Sequence, residues 1–89
     1  MSYFMNKTFT IILPVYNEED NLQRVEKELS NYIKTCPVKA DVLIVNDGSS
    51  DNSLQIIENI CLHNTNFSFI TFEKNYGLST AIKAGFDHV

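Results

Sequence analysis

Three runs in this chain, TFTIILPV (Thr8 to Val15), DVLIV (Asp41 to Val45) and FSFITF (Phe67 to Phe72), are nearly continuous in apolar or β-branched residues. A strand with one wet face alternates apolar and polar side chains, whereas a strand covered on both faces does not. These runs therefore predict strands sandwiched between two layers of helix. The intervening stretches supply the helices. Leu22, Val25, Leu29 and Ile33 recur at helical spacing and are followed by Pro37. Asn17 is placed to cap that helix, with Glu18, Glu19 and Asp20 in a first turn where the dipole favours negative charge. Leu54, Ile57 and Cys61 form a second stripe, with Ser50 or Asp51 as its natural cap. Leu78, Ile82, Phe86 and Val89, with Ala81 and Gly85 beside them, form a third. The order β-α-β-α-β-α predicts a three-layer α/β unit with parallel strands and right-handed crossovers. At 89 residues the chain is one domain, residues 1–89, with a core near the lower size limit.

Two strand ends carry chemistry. The first reads Pro14-Val15-Tyr16-Asn17-Glu18-Glu19, the second Asn46-Asp47-Gly48-Ser49-Ser50-Asp51. In an open parallel sheet both reach the same rim, where ligands bind. Tyr16 and Asp47 are thus expected to face one crevice. An aromatic face beside an acceptor-only carboxylate suits a nucleobase, with stacking worth about 1–3 kcal/mol and a charge-assisted hydrogen bond about 1.5–3 kcal/mol. Gly48 allows a sharp turn or a close approach to a ligand. Ser49 and Ser50 are expected to cap the following helix. Plainer roles stand beside these. Glu19 and Asp20 read as dipole-complementing acids, Asp51 as a cap, and Phe67, Phe69 and Phe72 as core.

Composition narrows the partners. A net charge of -4 and a pI near 4.9 argue against a nucleic-acid backbone, which wants a basic face. There is no apolar run of membrane-spanning length, and the opening MSYFMNK has no stretch fit for a secretory signal, which points to the cytoplasm. Cys36 and Cys61 have no metal-ligand spacing and read as reduced, largely buried thiols. His63 and His88 belong to no constellation. A dinucleotide fingerprint G-x-G-x-x-G is absent after the first strand, where the chain reads PVYNEED, and no P-loop motif occurs. A phospho-acceptor domain would need a partner lysine at a later strand end, and none stands there.

The segments ILPVYNEEDNL, LIVNDGSSDNS and EKNYGLSTAIKAG together resemble the N-terminal part of family-2 glycosyltransferases of the GT-A fold, from Thr8 onward. The resemblance implies a Rossmann-like half-domain, truncated before its fourth strand, that binds a UDP- or GDP-linked sugar. It implies that Pro14, Val15 and Tyr16 line the base pocket, that Glu18 sits near the ribose, and that Asp47 bonds the base. Val45 precedes that acid by two positions and Gly48 follows it. Lys74, Asn75 and Gly77 fall in a segment that approaches the nucleotide or sugar in relatives. Asn46 stands where the family often has a second acid, so it can position the loop but carries no charge.

The family also holds Mg²⁺ or Mn²⁺ through a D-x-D after a further strand, and uses an acid much later in the chain as general base. This sequence has no D-x-D. A diphosphate entering a rim that carries Glu18, Glu19, Asp47 and Asp51 would be repelled without a bridging cation. No catalytic residue or metal ligand is therefore expected within residues 1–89. The expected activity is sugar transfer by the family enzyme, which needs the metal; the alternative is a non-catalytic module that folds and self-associates without turnover. In the GT-A fold the first strand is central, so truncation leaves Thr8 to Val15 with an open apolar edge. That predicts a homo-oligomer, through this edge or by exchange of the last helix. Any membrane attachment, at the cytoplasmic face, is expected in the absent part.

Overall fold

The computed structural model describes residues 8–89. The opening MSYFMNK, read above as lacking a secretory signal, lies outside them. The elements run β1 (Thr8–Val15), α1 (Leu22–Thr35), β2 (Lys39–Asn46), α2 (Ser53–His63), β3 (Phe67–Thr71) and α3 (Leu78–His88). The sheet order is β1-β2-β3, and both pairings are parallel. In register, Leu13 lies opposite Ile44 and Ile44 opposite Phe69. β2 is the central strand, which explains its unbroken apolar run: Val42, Leu43, Ile44 and Val45 are each at most 2% exposed. Burying side chains of this size contributes about 1.5–3 kcal/mol each.

Alternation along β2 builds two cores. Val42 and Ile44 point to one face and pack with Val15, Leu22, Ile57, Ile60 and Phe67 beneath α1 and α2. Leu43 and Val45 point to the other and pack with Ala81, Ile12, Ile70 and Phe72 beneath α3. The three-layer expectation holds. The cysteines are free and only half-buried, rather than largely buried; Cys61 sits at the margin of the first core.

Three local expectations are corrected. First, α1 begins at Leu22 with Asn21 at its N-cap position and no acid in its first turn. Asn17 does not cap it, because its backbone turns into the left-handed region (φ 51°). Second, Ser49 and Ser50 do not cap α2. The N-cap position is Asn52, and Asp51 accepts the Ser53 N–H at 2.8 Å, so of the three candidates Ser49, Ser50 and Asp51 only Asp51 serves.

Third, the stripe read on α3 is not the buried one. Ala81 and Gly85 face the sheet, while Leu78, Phe86 and Val89 are more than 60% exposed. The small residues win because the helix lies close to β1. A Cβ on Gly85 would stand 2.6 Å from Ile12 Cγ2, so only a residue without one fits undisturbed.

Candidate nucleotide site

At the C-terminal ends of β1 and β2 lies a cavity of about 300 Å³, lined by Pro14, Val15, Tyr16, Glu18, Asp47, Asn75, Gly77, Leu78 and Ala81. Tyr16 and Asp47, remote in sequence, do share one crevice. β1 delivers Tyr16 immediately after its last buried residue, Val15, whose carbonyl accepts the Asp47 N–H at 2.8 Å. The two strand ends are thereby fastened to each other. Tyr16 is 48% exposed, as a stacking face must be.

Asp47 is 3% exposed, and its carboxylate already has protein partners. Oδ1 accepts the Tyr76 N–H at 2.7 Å. Oδ2 accepts the Gly77 N–H and the Asn75 side-chain amide, both at 2.9 Å. The acid that sequence reading assigns to a base thus folds the segment after β3 over the rim, which is how Asn75 and Gly77 reach the crevice. Gly48 has a related role. Its φ is 66°, and an added Cβ would overlap the backbone of Lys74 and Asn75. The close approach it permits is to this chain's own backbone.

Not every expected residue reaches the cavity. Val45 is fully buried in the core beneath α3. Gly48 and Lys74 do not line it either, and Lys74 Nζ lies over the Tyr76 ring, 5.4 Å from its centroid. Leu78 and Ala81 of α3 are lining residues that sequence reading treated only as helix core.

A polar network that sequence reading missed stands behind the crevice. Asn46 donates from Nδ2 to Thr71 Oγ1 at 3.1 Å and accepts the Ser49 hydroxyl at 2.6 Å. Ser49 Oγ in turn accepts the Asn17 N–H at 3.0 Å. The Glu18 N–H donates to Ser53 Oγ at 2.9 Å and the Glu19 N–H to Asp51 Oδ2 at 3.2 Å. Burial pushes the Asp51 carboxyl up, but hydrogen bonds from the Ser53 hydroxyl and from backbone N–H groups outweigh it, leaving the group below its ordinary 3.8. Burial likewise raises the Cys61 thiol, which keeps it protonated and unreactive.

The described residues hold no group of three or more His, Cys, Asp or Glu side chains that could bind a metal ion. With Asp47 and Asp51 engaged as acceptors, the residues present do not fit a divalent cation.

Residues 10–89 match the family described as Glycosyl transferase family 2. The chain belongs to that family. It is 35% identical over 80 residues to "Putative glycosyltransferase CsbB" of Bacillus subtilis (strain 168), an alignment covering 90% of this chain and 24% of the relative. Its fold matches a mannosyltransferase, PcManGT from Pyrobaculum calidifontis, solved in complex with GDP-Man and Mn²⁺. The TM-score is 0.75 at 21% identity, over 91% of this chain and 24% of that one. The fold is therefore a GT-A Rossmann-like one, and the chain spans about a quarter of the length of these relatives. No helix among the described residues is long and apolar enough to cross a membrane.

Proposed function

We propose that residues 1–89 form the nucleotide-binding part of a family-2 glycosyltransferase, taking the nucleoside diphosphate of a UDP- or GDP-linked sugar. The observation that carries this reading is the crevice between Tyr16 and Asp47, of a size for a base and its ribose. In this reading Tyr16 stacks on the base and Glu18 faces the ribose hydroxyls. Asp47 Oδ1 accepts a single bond from the protein, so an acceptor direction remains for an imide N–H of uracil or guanine.

The chemistry of transfer belongs to residues outside this stretch. Family enzymes use Mg²⁺ or Mn²⁺ to neutralise the leaving diphosphate, and the donors for it do not converge among the described residues. The chain by itself binds without turnover. Two free cysteines fit a reducing, cytoplasmic compartment. Self-association through β1 completes the reading. Among the described residues β1 pairs only with β2, and its sequence TFTIILPV carries no charge to discourage a further strand. Exchange of α3 is less favoured, because α3 is seated on its own sheet through Gly85 and Ala81.

Calorimetric titration with UDP, GDP and AMP tests the nucleotide reading. UDP or GDP should bind with Kd of about 1 mM or weaker, and AMP, which lacks the imide N–H, should bind less well. Equal binding of all three, or release of UDP from a UDP-sugar by this chain with Mn²⁺, would contradict it.

A further inference from the structure

Asn17 has neither the cap role its sequence context suggests nor a place in the crevice lining. Its backbone is left-handed, φ 51°, a conformation that asparagine tolerates better than other residues with a Cβ, glycine aside. Its side chain crosses to the β2–α2 loop. Oδ1 accepts the Ser50 N–H at 2.8 Å, the Asp51 N–H at 3.3 Å and the Ser50 hydroxyl at 3.4 Å. Its own N–H returns a bond to Ser49 Oγ at 3.0 Å. Ser49 is tied through Asn46 to Thr71, at the end of β3. One connected set of bonds therefore runs across all three strand ends, and Asn17 is its terminus beside Tyr16.

We propose that Asn17 is a positioning residue for the nucleotide site. It acts through Tyr16, by fixing the backbone on the ring's C-terminal side so that the exposed aromatic face is presented ready-made to a base. This rests on the nucleotide reading above. The physical reason is entropic. Tyr16 is half exposed, so packing alone does not immobilise it, and ordering a mobile ring on binding would reduce affinity. The left-handed turn and the Oδ1 bonds perform that ordering in advance.

Three substitutions separate the parts of this role. Asn17→Gly keeps the left-handed turn and removes the acceptor. Asn17→Ala removes both. Asn17→Asp keeps an acceptor and a tolerated turn. The readouts are the ¹⁹F spectrum of the chain labelled with 3-fluorotyrosine, with the Tyr16 line assigned from Tyr16→Phe, and the affinity for UDP and GDP. In Asn17→Gly and Asn17→Ala the Tyr16 line should shift or broaden while those of Tyr32 and Tyr76 stay, and affinity should fall about fivefold or more. Asn17→Asp should restore both.

If Asn17→Gly leaves the Tyr16 line where it was, the proposal is overturned. It is equally overturned if all tyrosine lines change together in Asn17→Gly, which would mark a general structural role. A wild-type chain that binds neither nucleotide, but whose Tyr16 line alone moves in Asn17→Gly, defeats the nucleotide reading and leaves the positioning role standing.

Discussion

Asp47 and Tyr76 meet in a 2.7 Å hydrogen bond from the Tyr76 backbone N–H to Oδ1, across the gap between the second and third strand ends. With the Gly77 N–H and the Asn75 amide on Oδ2, the bond makes a nearly buried carboxylate the fastener of the segment that closes one side of the crevice. Replacing it by alanine leaves those donors without an acceptor, at a cost of about 2–3 kcal/mol. Urea unfolding of Asp47→Ala should show a lower midpoint with an unchanged slope. An unchanged midpoint would mean that the fastener carries no weight.

Gly48 sets how close that segment can come. A side chain there meets the backbone of Lys74 and Asn75, which cannot swing aside as a side chain could, and the left-handed φ of 66° adds its own strain. Gly48→Ala should destabilise by about 2–4 kcal/mol. Gly77, whose φ is 100°, has open space where a Cβ would stand. Its substitution should therefore cost only the backbone strain, about 1–3 kcal/mol, and the smaller loss at Gly77 is checked in the same unfolding series.

Much of this fold could be read before any coordinates. The central strand is buried on both faces, and that burial writes itself as VLIV without interruption. The end of β1 and the DGSSD turn likewise declared a loaded rim. Helix facing was harder. Apolar spacing on α3 offers two neighbouring flanks, and spacing alone does not say that Ala81 and Gly85 face the sheet. That depends on how near α3 approaches Ile12, which is a tertiary fact. Asn17 was misread because helix caps and left-handed turns favour the same residue. The partners of Asp47 were invisible because all but one are backbone N–H groups.

Asp51 gives the chain an acid-sensitive contribution. Its folded pKa lies below the ordinary 3.8, so the unfolded chain binds more protons in that range and stability rises with pH. The contribution is fully present above 3.8 and is lost as pH falls through the lowered folded value. The stability of Asp51→Asn should depend less steeply on pH below 4 than that of the wild type, and the two slopes should be parallel near neutrality. Acid-unfolding curves monitored by circular dichroism check this.

The self-association proposed above would use two surfaces that stand open among the described residues, the free edge of β1 and the exposed flank of α3, and a single two-fold axis can cover both. If the axis stands perpendicular to the sheet, two β1 strands pair antiparallel and both α3 helices lie on the same face. Leu78, Ile82 and Phe86 would then approach their counterparts. Phe86 is 70% exposed, so Phe86→Glu should change stability by no more than about 0.5 kcal/mol while lowering the mass measured by light scattering. A wild-type chain that is monomeric at working concentration would remove the basis for this.

Whether Tyr16 and Asp47 flank a slot for a nucleobase is read from the ¹H–¹⁵N spectrum of the labelled chain titrated with UDP and with GDP. Concentration-dependent shifts should be confined to Val15 through Glu18, Asp47 and Asn75 through Leu78, saturate in the millimolar range and be lost in Tyr16→Ala. Shifts centred instead on the α1–α2 face, or none at saturating nucleotide, would contradict it.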